Sequence, residues 1–146
     1  MAGFTNYIEG KLLNHLFGGV EYDTSGGLPS SWYVGLLTVS PTDSTAGTEV
    51  SGSGTAYVRK PINLATGSSP KFTVTSGDPS QAVNDTAIEW DAATNNWGTV
   101  SYAGIYDASS GGNLICYVAI TNASDFTTAN PKAVNSGDIF KISAGN

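Results

Sequence analysis

The chain has 146 residues, of which only 12% are charged, and its formal net charge is −6, which fits one weakly acidic domain. Its six Lys and Arg residues are scattered, so it lacks the basic cluster on which nucleic-acid binding depends. No stretch approaches the roughly 20 apolar residues of a membrane span, and residues 1–17 lack the apolar core of a signal peptide. We therefore expect neither a nucleic-acid nor a membrane partner, and synthesis in a cytoplasm.

The first predicted element is an α-helix over roughly residues 4–17. Asn6 and Glu9 resemble a capping pair at its start, and Gly18 provides a stop. Its apolar residues recur at the i, i+4 spacing of one helical face. This face contains Phe4, Ile8, Leu12 and Leu16, and is broadened by Tyr7, Leu13 and Phe17.

Beyond this helix the pattern is that of strands and turns. We predict a single domain over residues 1–146, with the helix in 1–19, a link in 20–31 and a β domain in 32–146. Many short strands separated by polar turns favour an antiparallel β-sandwich, jelly-roll-like or a partly closed barrel. The predicted strands are 32–39, 55–62, 71–75, 86–90, 99–106, 114–121 and 138–143.

The last two strands before residue 122 are predicted to form a β-hairpin. Residues 99–106 are rich in β-branched and aromatic side chains, and residues 114–121 alternate between two apolar faces. The intervening residues 107–113 include Ser-Ser-Gly-Gly, whose glycines permit a chain reversal. Cys116, the only cysteine, lies within the second strand, so we expect it to be buried and unpaired.

Residues that could support catalysis or metal binding are few. His15 is the only histidine, and it lacks neighbouring cysteines or paired carboxylates. Gly52 and Gly54 precede a strand rather than a helix, which indicates a turn and not a phosphate-binding loop. Glu89 and Asp91 share a strand face but have no further ligand nearby, which indicates a solvated surface. We expect no enzymatic activity, no cofactor and no required metal.

Aromatic side chains lie on or beside several predicted strands. In a β-sandwich such residues usually belong to the core, although carbohydrate-binding modules expose them as stacking platforms. The sequence leaves both interpretations open, with the core as the default. The residues concerned are Trp32, Tyr33, Trp90, Trp97, Tyr102, Tyr106 and Tyr117.

Five ordered blocks give the chain a family resemblance. They begin with "NYIEGKLLNHLFGG", "WYVGLLTVSPTD" and "GTEVSGSGTAYVRKPI", and continue with "TAIEWDAATNNWGTVSYAGIYDASSGGNLICYVAIT" and "VNSGDIFKISAG". In this order they resemble small bacteriophage virion proteins commonly labelled tail-fibre or minor structural proteins. The resemblance covers most of the chain and implies a structural component of a phage particle without enzymatic activity.

Three functions remain open after this resemblance. The first is a tail-fibre-like or tail accessory protein, the second is a capsid decoration protein on the outer shell, and the third is a carbohydrate-binding module. The expected partners are other virion proteins of the tail or capsid, further copies of the chain and a glycan of the host surface. We expect the protein in the virion, assembled in the host cytoplasm.

The candidate docking surface is the apolar face of the N-terminal helix. Fully burying four such side chains is worth roughly 6–12 kcal/mol in gross transfer terms, which suits an anchor on another virion protein. The alternative is that the helix closes one end of its own sandwich. The residues of the candidate face are Phe4, Tyr7, Ile8, Leu12 and Leu16.

Overall fold

The computed structural model describes residues 3–18, 32–64, 67–76, 81–126 and 132–134. One helix and ten strands lie in these ranges, with a two-residue strand ahead of the helix and nine strands after it. They are β1 (Gly3–Phe4), α1 (Asn6–Phe17), β2 (Trp32–Val39), β3 (Thr48–Glu49), β4 (Lys60–Ile62), β5 (Phe72–Thr75), β6 (Gln81–Asn84), β7 (Ile88–Trp90), β8 (Gly98–Tyr106), β9 (Leu114–Phe126) and β10 (Lys132–Val134).

The strands form one large antiparallel sheet and two small ones. The large sheet has six strands in the order β1-β9-β8-β2-β3, and β4 pairs with the other end of β2. β5 pairs with β6, and β7 pairs with β10. The predicted all-β, antiparallel, sandwich-like fold with one helix is thus confirmed. In the described residues the large sheet ends at β1 and β3, and it does not close into a barrel.

The β8–β9 hairpin is the centre of this architecture, as the sequence predicts. β8 pairs with β2 on one side and with β9 on the other, so both of its edges are used. Residues 107–113 connect the two strands, and Gly111 and Gly112 adopt positive φ angles of 60° and 67°. β9 continues to Phe126, beyond the predicted end of the strand at residue 121.

One hydrophobic core joins the strands to the start of the helix. Val34 and Leu36 of β2 are fully buried, and Ile8 of α1 belongs to the same cluster. Cys116 is buried and free, as expected, and burial raises the pKa of its thiol to about 12. The other members of the cluster are Val50, Tyr57, Ile62, Ile88, Trp90, Ala93, Trp97, Val100, Ala103, Ile105 and Ile115.

The N-terminal prediction needs one correction. Phe4 lies in β1, where it pairs with Cys116 of β9, and the helix begins only at Asn6. Thr5, and not the predicted Asn6, is the N-cap residue, and its side chain makes no cap hydrogen bond. Gly18 ends the helix as predicted, and its N–H donates to the carbonyl of Asn14 at 2.9 Å.

The strand predicted over residues 55–62 is also shorter than expected, because only Lys60–Ile62 pairs as β4. The carbonyls of Thr55 and Val58 instead accept hydrogen bonds from the indole N–H groups of Trp97 and Trp90, at 2.8 and 2.9 Å. The turn expected around Gly54 is present over residues 53–55. Ala56, within the predicted strand, has a φ of 57°, and this left-handed conformation interrupts an extended strand.

Other predicted strands are confirmed with small changes of length. The strand at 32–39 has the predicted bounds, and those at 71–75 and 86–90 begin one and two residues later. The short strands β1, β3, β6 and β10 were not predicted. The link at 20–31 and the strand at 138–143 lie outside the described residues, so their predictions stay predictions.

Two strands share the outer edge of β2, and a side chain fills the space between them. β3 pairs near Leu37, and β4 pairs with residues 32–34. In the gap, the N–H of Leu36 donates to the hydroxyl of Tyr57 at 2.8 Å. The same hydroxyl donates to the carboxylate of Glu49 at 2.8 Å. Tyr57 therefore completes an edge that backbone pairing alone leaves open.

Candidate docking surface

The helix is attached to the domain through its first turn. The hydroxyl of Thr5 donates to the carbonyl of Leu114 at 2.5 Å, and its N–H donates to the carbonyl of Ile115 at 2.9 Å. The hydroxyl of Tyr7 donates to the carboxylate of Asp107 at 3.0 Å. Ile8 is the only buried residue of α1, with 6% of its surface exposed. These contacts fix both the position and the rotation of the helix.

That rotation directs the later apolar residues away from the domain. On the side that continues from Ile8, the half-buried residues are Lys11 and His15, which follow at i+3 and i+7. The opposite side is exposed and apolar. We call it the apolar stripe, and its residues are Leu12, Leu13, Leu16 and Phe17, with exposed fractions of 41%, 57%, 60% and 82%.

The predicted helix face is thus divided between two environments. Ile8 lies in the domain core, and Tyr7 is half-buried and packs against it. Phe4 precedes the helix in β1 and is 37% exposed. Only Leu12 and Leu16 of the five residues lie on the apolar stripe. The i, i+4 spacing marks apolar positions along the helix, but it does not predict which of these side chains the domain itself covers.

The residues considered for catalysis or metal binding do not lie together in the structure. His15 lies on the helix, whereas Glu89 and Asp91 lie at β7, both exposed. The carboxylate of Asp91 lies 3.5 Å from the ammonium of Lys60, in an exposed ion pair. Within the described ranges, no three His, Cys, Asp or Glu side chains group as a metal site. Nor does any helix there have the length and hydrophobicity needed to cross a membrane.

The seven aromatic residues named in the sequence analysis are buried or half-buried. Trp90, Trp97 and Tyr106 are buried, and the other four named above are half-buried. The rings of Tyr57 and Trp97 meet edge to face, with centroids 5.4 Å apart. None of the seven is exposed, so they do not form an open stacking platform for a sugar. The default interpretation as core residues therefore fits the structure.

Comparison with known protein families gives a match that spans nearly the whole chain. The family described as Podophage GP4 fiber I protein gp80 matches residues 3–146. The chain belongs to this podophage fibre family. A comparison with curated proteins gave no match.

Membership in the podophage fibre family agrees with the virion resemblance found in the sequence. It makes the chain a phage structural component that associates with other virion proteins. A podophage fibre protein associates with other virion components, so exposed surfaces that could make such a contact are of interest. Within the described residues, the apolar stripe of α1 is one exposed apolar surface.

A partly buried ion pair between Glu49 and Arg59 was not predicted from the sequence. Arg59 has only 6% of its side chain exposed and Glu49 has 25%. The sequence feature that could have indicated this pair is an acidic and a basic residue ten positions apart in a chain with few charges. This pair lies within the block "GTEVSGSGTAYVRKPI", which contributed to the family resemblance.

Proposed function

We propose that the protein is a non-enzymatic component of the phage tail, tail-fibre-like or tail accessory, that docks on another virion protein through the apolar stripe. The observation that carries this proposal is the rotation of α1. Its first turn is bonded to the domain, and its last turns expose Leu12, Leu13, Leu16 and Phe17. Family membership supports association with virion proteins.

The stripe has the chemistry of a helix that lies in an apolar groove. Such complexes use apolar anchors at i, i+3, i+4 and i+7 positions, and Leu13, Leu16 and Phe17 provide the i, i+3 and i+4 members of this set. Fully burying one Leu or Phe side chain is worth about 1.5–3 kcal/mol. Four partly exposed side chains therefore supply a substantial share of a specific interface. The proposed partner surface is an apolar groove on another virion protein.

Two glycines, one within the helix and one at its end, suit this role. Gly18 ends α1 directly after Phe17, so the stripe extends to the last helical residue. Gly10 faces open space, since a Cβ added there would meet nothing within 4 Å, so a partner can approach the helix closely at this point. The domain core is complete without the stripe, because only Ile8 of the helix is buried in it.

Incorporation into particles tests this proposal. Phage lacking the native gene are complemented with the wild-type protein or with a Leu12→Asp/Leu16→Asp variant, and purified virions are probed for the protein. We expect the variant to fold with a melting temperature slightly below that of wild type, because Asp is a weaker helix former than Leu and is unfavourable near a helix C-terminus. In particles it should be depleted at least about tenfold, which corresponds to about 1.4 kcal/mol. Incorporation equal to wild type would refute docking through the stripe.

A matched control separates docking from a general effect of surface charge. Val74 is an exposed apolar residue of β5, at 61% exposure, and Val74→Asp should assemble normally.

Copy number and position in the particle test the tail assignment. A protein present in few copies at the tail supports it, whereas hundreds of copies spread over the shell would identify a capsid decoration protein instead.

A further inference from the structure

The exposed side of α1 changes in polarity along the helix. Its first turns present Asn6 and Glu9, both exposed, whereas its later turns present the apolar stripe. Glu9 precedes Leu12 and Leu13 by three and four positions, so these residues lie on one side of the helix. At about 1.5 Å of rise per residue, Glu9 lies about 6 Å along the helix axis from Leu13. A carboxylate therefore borders the apolar stripe at its N-terminal end.

The basic groups of the helix lie on its other side. Lys11 and His15 are half-buried and follow Ile8 on the side that faces the domain. The ammonium of Lys11 lies 5.5 Å from the ring centroid of Tyr7, and Tyr7 packs against the core. Glu9 is therefore the only exposed charged residue of α1.

A second carboxylate lies near the start of α1. The N–H of Asn6 donates to the carbonyl of Asp43 at 3.0 Å, and Asp43 is exposed. Neither Glu9 nor Asp43 takes part in an ion pair within the described ranges. We call Glu9 and Asp43 the acidic end, because both lie at the same end of the helix and of the apolar stripe.

A protein that covers the apolar stripe also approaches the acidic end. Removing a carboxylate from water without a compensating partner is unfavourable, whereas a Lys or Arg opposite it forms a charge-assisted hydrogen bond. Complementary charges at the rim of an apolar interface also steer the encounter and fix the orientation of the two proteins. The change in polarity along α1 thus specifies the direction in which the helix lies in a groove.

The same charges disfavour a second copy of this chain as the occupant. Each copy has a formal net charge of −6, so two copies repel each other as they approach. If two stripes paired in parallel, Glu9 would meet Glu9, and if they paired antiparallel, Glu9 would meet the apolar last turn. Neither arrangement places a cation opposite the acidic end.

We propose that the virion protein bound by the apolar stripe has a groove that is apolar at one end and carries Lys or Arg at the other. The stripe enters the apolar part, and the acidic end meets the basic group. This inference rests on the proposed docking through the stripe, and it adds the chemistry of the partner and the direction of the helix.

Incorporation of charge variants into particles tests the inference. Phage lacking the native gene are complemented with Glu9→Gln/Asp43→Asn or with the charge-reversed Glu9→Lys/Asp43→Lys, and purified virions are probed for the protein. We expect the neutral variant to be depleted about threefold relative to wild type, as for an exposed ion pair. The charge-reversed variant should be depleted at least about tenfold, because like charges then face each other. Cooperative thermal unfolding of each purified variant shows that it is folded.

Two controls accompany these variants. Glu89→Gln removes an exposed carboxylate of β7 and should be incorporated as wild type is. Leu12→Ser/Leu16→Ser removes two apolar anchors without changing the charge and should be depleted at least about tenfold. The first control reports the effect of net charge alone, and the second reports docking through the stripe.

The outcomes distinguish failure of this inference from failure of the proposed function. If Leu12→Ser/Leu16→Ser is depleted and both acidic-end variants are incorporated as wild type, the partner has no facing cation and the inference is wrong, whereas docking through the stripe stands. Equal depletion of the neutral and charge-reversed variants would also overturn it, because a facing cation must distinguish them. Normal incorporation of Leu12→Ser/Leu16→Ser would refute both. A dimer in analytical ultracentrifugation that this variant abolishes would identify a second copy as the occupant and overturn the inference.

Discussion

The guanidinium of Arg59 binds the carboxylate of Glu49 through two parallel hydrogen bonds, Nε to Oε1 at 2.8 Å and Nη2 to Oε2 at 2.7 Å. Its carbon lies 3.4 Å from the ring centroid of Tyr106, and Nη1 donates to the carbonyls of Ala108 and Gly111, each at 2.7 Å. One side chain thus connects β3 to the central hairpin. The bidentate geometry and the stacking require arginine rather than lysine.

Removing Arg59 should therefore destabilise the domain strongly. Arg59→Ala leaves the carboxylate of Glu49 partly buried without its cation and frees two loop carbonyls, so we expect a loss of about 3–5 kcal/mol in the free energy of unfolding. Urea denaturation followed by tryptophan fluorescence measures it. Asp91→Ala is the control, because its ion pair with Lys60 is exposed, and about 0–1 kcal/mol is expected. Equal effects of the two substitutions would contradict the role of Arg59.

Gly35 should not tolerate a methyl group. A Cβ there would lie 2.8 Å from Glu49 Oε1 and 2.8 Å from the ring of Tyr106, within the buried cluster. We expect Gly35→Ala to cost about 1–3 kcal/mol of stability through overpacking. Gly10→Ala is the matched control, since its Cβ meets open space, and it should stabilise the helix by about 0.5–1 kcal/mol. We expect the melting temperature to fall for Gly35→Ala and to rise for Gly10→Ala. An unchanged melting temperature of Gly35→Ala would contradict the close packing around this glycine.

The sequence predicted those elements that depend on local pattern. β2 has its predicted bounds because residues 32–39 form a largely apolar run of strand-forming residues, interrupted only by Gly35. The strand at 55–62 is shorter than predicted because Ala56 has a left-handed φ of 57°, and the carbonyls of Thr55 and Val58 bond to tryptophans more than 30 residues away. Phe4 follows the helical spacing, yet its backbone pairs with Cys116. Contacts between segments distant in the sequence set the bounds of these elements, and the periodicity of apolar residues carries no information about such contacts.

The same limit applies to the apolar stripe. The spacing of Leu12 and Leu16 predicts an apolar side of the helix, and the structure has one. Which side faces the domain depends on the hydrogen bonds of Thr5 and Tyr7 with residues 107–115. These partners lie about a hundred positions along the chain, so the helix sequence alone does not specify its rotation.

Acid should weaken the contact between helix and hairpin loop. Because the folded pKa of Asp107 lies below its unfolded value, its stabilising contribution is complete above the unfolded pKa of about 4. It is lost as the pH falls through the folded pKa. We expect the melting temperature of wild type to exceed that of Asp107→Asn at pH 6, and the difference to shrink at pH 3. A difference that stays constant between these pH values would contradict the prediction.

The division of α1 into a bonded first turn and an exposed last turn predicts opposite behaviour of two similar truncations. Ile8→Ala creates a cavity in the domain core and should cost about 2–5 kcal/mol in the free energy of unfolding. Leu16→Ala removes a side chain that is 60% exposed and should change stability by no more than about 0.5 kcal/mol. In virions we expect the reverse order. Among folded protein, Leu16→Ala should be incorporated less than Ile8→Ala, because Leu16 belongs to the apolar stripe and Ile8 does not. Urea titrations and virion incorporation at a temperature where both variants are folded measure the two effects. If Leu16→Ala unfolds as easily as Ile8→Ala, the last turns of the helix are packed on the domain, and the apolar stripe is not a free docking surface.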